Sequence, residues 1–163
     1  MNEELTEPLP STRLAELGIE LPPVAKPVAA YVPALISSGQ VVTSGQLPFV
    51  DGTLLATGKV GAQVSPEQAQ ELARVAALNG IAAAAAVAGG VDGLQRVVKV
   101  TVFVASDPSF TGQPQVANGA SQLLLDVFGP AGVHARSAVG VAVLPLDSPL
   151  ELELTFEANA ASF

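Results

Sequence analysis

The chain of 163 residues has no cysteine, and this absence excludes thiol nucleophiles, disulfides and thiolate metal sites. It has one histidine, too few for an ordinary zinc site. Aromatic residues are scarce, at 4% of the chain, and none of them is tryptophan. A groove for single-stranded nucleic acid needs aromatic residues together with basic ones. We therefore expect no thiol chemistry and no metal site.

Charge is also scarce and mostly of one sign. Charged residues make up 13% of the chain, against about 25% in ordinary domains. Fifteen acids and seven bases give a net charge of -8, and no basic run occurs, so nucleic acid and anionic membranes would be repelled. With so few charges, part of the surface is expected to be hidden in an oligomer.

Long hydrophobic runs and targeting signals are absent. The longest apolar run, residues 81–91, is far shorter than the roughly 20 residues of a membrane span. The acidic, proline-broken amino terminus lacks the basic-then-apolar order of a secretory signal. We expect a cytoplasmic protein with a flexible tail at residues 1–11 and a single domain over residues 12–163.

Local signals predict an alternation of strands and helices. In chain order they indicate a short helix within 13–23, a hairpin within 26–54 that turns at Ser38-Gly39, a second turn at Asp51-Gly52, a helix at 66–87, a strand at 94–106, a helix at 115–129, and strands at 135–144 and 150–157. The helix at 66–87 has the strongest signals, with Ser65 as N-cap, Pro66 at the first helical position and Gly89 beyond its end.

This order, β-β-α-β-α-β-β, predicts an α+β fold in which both helices cover one face of a single mixed sheet. The strands at 97–104 and 137–144 have apolar residues on both faces. Since no helix remains for the second face, we expect it to pack against other copies of the chain.

Arg136 is the leading candidate for a functional residue, because it begins an otherwise apolar strand. A buried guanidinium without a partner is costly, whereas a bidentate carboxylate offsets that cost. The partner could be the carboxylate of a bound ligand. It could equally be Glu151 or Glu153 on the final strand, in a structural salt bridge.

Glu151 itself alternates with leucines, as is typical of a half-exposed strand, and it acquires a role with water only if its face lines a cleft. Tyr31 and Ser44 lie on or beside short strands, where the "TSGQ" stretch favours a small-ligand site or an ordinary turn. Asn118 is interpreted as a residue that caps the start of a helix. His134 is interpreted as a histidine with satisfied hydrogen bonds rather than a general base.

Together these segments resemble a known family. The stretches "YVPALISSGQVVTSGQLPFVDGTL", "AALNGIAAA", "RVVKVTVFVAS", "VANGASQLLLDVFG", "HARSAVGVAVLP" and "LELEL" follow one another in the order seen in the RidA/YjgF family, also called L-PSP or UK-type. The resemblance runs from about Leu14 to Glu157. It is closest to the branch labelled YjgF-like endoribonucleases, which has an extra amino-terminal segment similar to "LAELGIELPP".

The resemblance implies a chorismate-mutase-like fold and a homotrimer with three clefts between subunits. It also implies hydrolysis of reactive enamines and imines, such as 2-aminoacrylate and 2-imino acids, to 2-keto acids and ammonia without a cofactor. By position, Arg136 matches the arginine that holds the substrate carboxylate, and Glu151 matches the glutamate that positions water. Tyr31, Ser44 and Asn118 match residues that contact the substrate.

One position departs from the family pattern, because Ala138 replaces a cysteine common in active members. Two other functions stay open beside the deaminase. The cleft could bind a small carboxylate as a regulatory module without turnover. The ribonuclease named by the branch ranks last, because the chain is acidic and offers no basic, aromatic groove.

Overall fold

The computed structural model describes residues 6–24, 26–27 and 29–160. The tail predicted at 1–11 therefore lies partly outside the described residues. Within them the helices are α1 (Pro10–Glu16), α2 (Pro66–Val87) and α3 (Gln113–Phe128), with short 3₁₀ turns at Val91–Gly93, Gly129–Gly132 and Pro145–Asp147. The strands are β1 (Ala34–Ser37), β2 (Gln40–Thr43), β3 (Phe49–Val50), β4 (Thr53–Leu54), β5 (Leu94–Ala105), β6 (Ala135–Val141) and β7 (Leu150–Ala158). No described helix combines the length and hydrophobicity needed to cross a membrane.

Five of the strands form one mixed sheet, in the order β1-β2-β7-β5-β6. Only the β5–β6 pair is parallel, and the other neighbours are antiparallel. The remaining strands, β3 and β4, form a separate hairpin at the turn that Asp51-Gly52 predicts. The predicted α+β class with a mixed sheet is confirmed.

Both long helices lie on the same face of this sheet, as predicted. The register places Val100 of β5 between Arg136 of β6 and Leu154 of β7, so these three side chains share one face. Gly80 of α2 packs against Leu154, and Oδ1 of Asn118 in α3 accepts a hydrogen bond from Arg136. The core therefore forms between this face and the helices.

The contact between α2 and α3 depends on small residues. Ala69, Ala73 and Ala76 of α2 are completely buried. In α3, a β-carbon at Gly119 would lie 1.9 Å from the carbonyl oxygen of Gln70. The small alanine side chains thus allow the two helices to pack closely, since larger side chains would separate them.

Local capping signals explain the bounds of α2. The Ser65 hydroxyl accepts a hydrogen bond from the backbone N–H of Gln68 at 3.1 Å, and Pro66 occupies the first helical position. The predicted range of 66–87 is confirmed at both ends.

Other boundaries differ from the prediction. Helix α1 begins at Pro10, because the Ser11 side chain and backbone N–H both bond to the carboxylate of Asp92, at 2.6 and 2.8 Å. Strand β6 ends at Val141, where its partner β5 also ends, rather than at residue 144. The predicted capping role of Asn118 is wrong, because α3 begins five residues earlier, at Gln113.

Apolar residues also lie on the sheet face away from the helices, as predicted. Leu35 and Val42 on the β1–β2 hairpin and Val139 on β6 are 40–50% exposed there. Between them, Thr101 of β5 pairs with Glu153 of β7. This face is therefore amphipathic rather than wholly apolar.

The close helix contact predicts unequal effects of two glycine substitutions. In Gly119→Ala the new β-carbon would meet a backbone oxygen, so we expect a loss of about 1–3 kcal/mol in the free energy of unfolding. In Gly80→Ala it would meet the end of the flexible Leu154 side chain at 2.6 Å, so the loss should be smaller. Both variants gain similar helix propensity, which makes Gly80→Ala a matched control. The free energy of unfolding of both variants is measured with denaturant at equal protein concentration. Equal values for the two variants would contradict this account.

Candidate functional site

Arg136 is held by neutral groups rather than by a carboxylate. Its Nη1 donates hydrogen bonds to Oδ1 of Asn118 at 2.8 Å and to Oγ of Ser121 at 3.2 Å. These two acceptors lie three residues apart, on one face of α3. In the described part of the chain, Arg136 forms no ion pair, and its Nε and Nη2 have no hydrogen-bond partner. No carboxylate of the described chain therefore neutralises the guanidinium, and the edge formed by Nε and Nη2 can bind an anion in a bidentate way.

The alternative of a salt bridge from Arg136 to Glu151 or Glu153 is wrong. The final strand is not its neighbour, because β5 lies between β6 and β7. Moreover, Glu151 pairs with Phe103 and therefore lies on the sheet face opposite Arg136. Within one chain the two side chains cannot meet.

Ser121, which the sequence did not single out, lies between Arg136 and the single histidine and contacts both. The Oγ of Ser121 lies 2.9 Å from Nε2 of His134, and Nδ1 of His134 lies 2.6 Å from the carbonyl oxygen of Gly132. Both ring nitrogens are thus hydrogen-bonded, as the interpretation of His134 as a satisfied histidine predicts. The available signal for Ser121 was its spacing from Asn118.

A second group of polar residues follows β2. Between Val42, opposite Thr155, and Gln46, opposite Leu152, the chain advances four residues while β7 advances three. One extra residue therefore forms a bulge at Ser44-Gly45, and bulges often redirect side chains at sheet edges and sites.

Side-chain hydrogen bonds stabilise this bulge. The Thr43 hydroxyl accepts the backbone N–H of Leu154 at 3.0 Å, replacing a bond of the regular ladder. The Ser44 hydroxyl donates to the carbonyl oxygen of Val32 at 2.6 Å and so joins the bulge to the segment that carries Tyr31. Tyr31 is 57% exposed.

Glu151 lies directly over the bulge. A β-carbon at Gly45 would be 1.9 Å from its Oε1, so a larger residue there would displace this carboxylate. In the described chain Glu151 makes no side-chain hydrogen bond. Its burial, and secondarily the charge of Glu153, raise the pKa of the Glu151 carboxyl above the usual 4.5. A carboxylate with a raised pKa is a better proton acceptor than an exposed one.

Open space adjoins this second group. A hollow of about 580 Å³ is lined by Ala29, Ala30, Tyr31, Val32, Leu35 and Ser44. A neighbouring hollow of about 820 Å³ shares Tyr31 and Ser44 and extends over α2 to Val75 and Asn79. The two sequence-predicted residues thus face space that a small ligand can enter.

The predicted site residues therefore form two half-sites. We call Arg136, Asn118 and Ser121 the arginine half-site, and Tyr31, Ser44 and Glu151 the carboxylate half-site. The first lies at the β6 edge of the sheet, and the second lies beside β2, near the opposite edge. In the described residues no three histidine or acidic side chains are grouped so that they could hold a metal ion.

Comparison with known proteins gives this geometry a context. Residues 11–157 match the family model described as "YjgF/chorismate mutase-like, putative endoribonuclease". The chain belongs to the YjgF family. The protein TCP17 of Trypanosoma cruzi is 45% identical over 150 residues, which cover 91% of this chain and 94% of the relative.

Solved YjgF-family structures share the fold. The Agrobacterium tumefaciens protein Atu1372, of unknown function, is 42% identical with a TM-score of 0.84, and the match covers 92% of each chain. Escherichia coli TdcF with bound serine is 26% identical with a TM-score of 0.61, over 83% of this chain and 94% of TdcF. The resemblance to this family and its chorismate-mutase-like fold is confirmed.

The YjgF register also places Ala138. It pairs with Val102 on the helix-covered face, two residues from Arg136, and it is half-buried. The position at which the family often has cysteine is therefore on the same sheet face as the arginine half-site.

The raised pKa of Glu151 predicts a pH-dependent effect on stability. Because the folded state binds this proton more tightly than the unfolded state, ionising Glu151 destabilises the fold as the pH rises above the ordinary value of 4.5. Glu151→Gln should therefore gain free energy of unfolding relative to wild type at about pH 7 and gain less at about pH 4. Denaturant unfolding at both pH values measures this difference. The control is Glu157→Gln on the same strand face, and an equal pH effect in both variants would contradict the assignment.

Proposed function

We propose that this chain hydrolyses 2-imino acids and their enamine tautomers to 2-keto acids and ammonia. The single observation that carries the proposal is the state of Arg136, whose guanidinium is oriented by Asn118 and Ser121 and is not neutralised by any carboxylate of the described chain. Such a group suits a small anionic ligand that it can bind in a bidentate way.

The reaction needs little besides orientation. The Nε and Nη2 of Arg136 bind the substrate carboxylate, which fixes the adjacent C=N carbon for attack. Water adds to this carbon while the Glu151 carboxylate accepts its proton and returns it to the imine nitrogen, which gives a carbinolamine. The hydroxyl proton of the carbinolamine then passes to the nitrogen as the C–N bond breaks, which releases ammonia and the keto acid. No covalent intermediate with the protein is required, so Ala138 in place of cysteine is compatible with this route.

The position of the half-sites supports a site between subunits. Arg136 and Glu151 lie on opposite faces of the sheet and on strands separated by β5, so one chain cannot direct both at one substrate. In a closed ring of copies, the arginine half-site of one subunit can face the carboxylate half-site of the next. We propose a homotrimer with three such sites. The YjgF-family protein TdcF with bound serine supports a ligand of this size that carries a carboxylate.

A regulatory module and a ribonuclease are the two alternative functions, and each requires binding properties that differ from those of the enzyme. A regulatory module would bind a 2-keto acid without accelerating imine hydrolysis, and a thermal-shift titration with pyruvate beside the imine assay separates it from the enzyme. A ribonuclease would have to bind phosphates on a chain with a net charge of -8, and this charge disfavours it.

Substitution of Arg136 tests the catalytic proposal. Arg136→Ala should lower kcat/KM about 10- to 100-fold, because it removes charge-assisted hydrogen bonds to the carboxylate. Arg136→Lys should be intermediate, because lysine keeps the charge without the bidentate geometry. Imines are generated in situ by an amino-acid oxidase, and their decay is followed. The control, Arg74→Ala, removes an arginine on α2 that is paired with Asp126 at 3.5 Å. If wild type and Arg136→Ala accelerated the decay of the imine equally, the proposal would be wrong.

Mixing two impaired variants tests whether the site lies between subunits. Arg136→Ala and Glu151→Gln each damage one half-site, and each alone should keep no more than about a tenth of wild-type activity. Refolded together in equal amounts, they should recover about one quarter of wild-type activity, because half the subunits supply arginine and half of their neighbours supply glutamate. Mass measurement by light scattering identifies the trimer. A site contained within one subunit would give no recovery on mixing.

A further inference from the structure

We propose that His134 and Ser121 are positioning residues, which lock the guanidinium of Arg136 in its carboxylate-binding orientation through a hydrogen-bond chain that begins at the carbonyl of Gly132. The proposal rests on the function proposed above for Arg136. It assigns a role to the single histidine, which the hydrolytic route does not use.

The direction of each hydrogen bond in this chain follows from its chemistry. The Gly132 carbonyl oxygen can only accept, so Nδ1 of His134, at 2.6 Å, must donate. In the neutral ring Nε2 is then an acceptor, and the Ser121 hydroxyl donates to it at 2.9 Å. The lone pairs of Ser121 Oγ are thereby directed to Nη1 of Arg136 at 3.2 Å. Each link determines the proton position in the next.

The first link is fixed by close packing. Gly132 is buried, and a β-carbon there would lie 2.3 Å from the carbonyl oxygen of Leu124 in α3. The 3₁₀ turn that ends at Gly132 is therefore pressed against the same helix that carries Ser121. The carbonyl that selects the histidine tautomer cannot move independently of that helix.

The last link determines what Arg136 presents. Its Nη1 has two N–H groups, and Asn118 accepts one while Ser121 accepts the other. Because both N–H groups of Nη1 are hydrogen-bonded, the guanidinium plane is fixed and the edge formed by Nε and Nη2 stays available to a ligand. Without Ser121, one N–H of Nη1 loses its acceptor and the side chain gains rotational freedom. Immobilising it on binding would then weaken carboxylate affinity by about three- to tenfold.

Two histidine variants separate the links. His134→Gln places an amide oxygen at the distance of Nε2 along the side chain and preserves an acceptor for Ser121. His134→Asn reaches only as far as Nδ1, so it keeps the contact with Gly132 and loses the one with Ser121. For the serine, Ser121→Thr keeps the hydroxyl and Ser121→Ala removes it.

Two measurements are made on the full chain: KM and kcat for imine hydrolysis, and the Kd for pyruvate. We expect His134→Asn and Ser121→Ala to raise KM and Kd about three- to tenfold with kcat nearly unchanged, whereas Ser121→Thr stays close to wild type. His134→Gln should fall between His134→Asn and wild type, because it keeps the acceptor for Ser121 and loses the contact with Gly132. The double variant should be no weaker than the worse single variant, because both substitutions break one chain. Ser109→Ala, at an exposed serine bonded to Asp107, is the control.

Several outcomes would overturn the proposal. Equal Kd values for His134→Asn and His134→Gln would show that the Ser121 contact does not matter, and additive effects in the double variant would show that the residues act separately. Covalent labelling of Ser121 by an organophosphonate, with loss of kcat in Ser121→Ala, would identify a nucleophile instead. Failure of the parent function is distinguishable, because wild type would then not accelerate imine hydrolysis, whereas the Kd for pyruvate would still rank the His134 and Ser121 variants.

Discussion

The parallel pairing of β5 with β6 is the constraint on which the candidate site depends. It aligns Val100 with Arg136 and thereby directs the arginine toward α3. Because side chains alternate along a strand, a slip of one residue would move the guanidinium to the open face, away from Asn118 and Ser121. The register of this one strand pair thus sets the orientation of the cation that the proposed site uses.

Close helix packing transmits the same constraint to the acceptors of Arg136. Asn118 and Ser121 are attached to α3, and Gly119 between them lies against the backbone of α2. A larger residue at that point would displace α3 and both acceptors with it. The alanine and glycine content of the helices therefore contributes to the function proposed here, although these residues carry no chemical groups of their own.

Local signals in the sequence are sufficient to predict the bounds of some elements, but they do not predict contacts between distant segments. The cap at Ser65 and the glycines after α2 act within a few residues, so the bounds of that helix could be predicted. The strand order could not, because nothing local indicates that β5 separates β6 from β7, and the salt bridge from Arg136 to Glu151 was wrong for that reason. The sequence predicts a cap at Asn118 because asparagine prefers that position, yet its side chain bonds to a distant strand. The pairing of Ser121 with His134 likewise exists only in the folded chain.

The neutral surroundings of Arg136 make the proposed binding of an anion compatible with an acidic chain. Arg13, Lys59 and Arg74 each contact a carboxylate, so their fields are largely cancelled nearby. The acceptors of Arg136 are instead an amide and a hydroxyl, which orient the guanidinium without neutralising it. At long range the net charge of -8 repels a carboxylate, but salt largely screens charges that are more than about 10 Å apart. At shorter distances the uncompensated guanidinium dominates, so the proposed selectivity for a small anion follows from the neutral hydrogen-bond partners of one arginine.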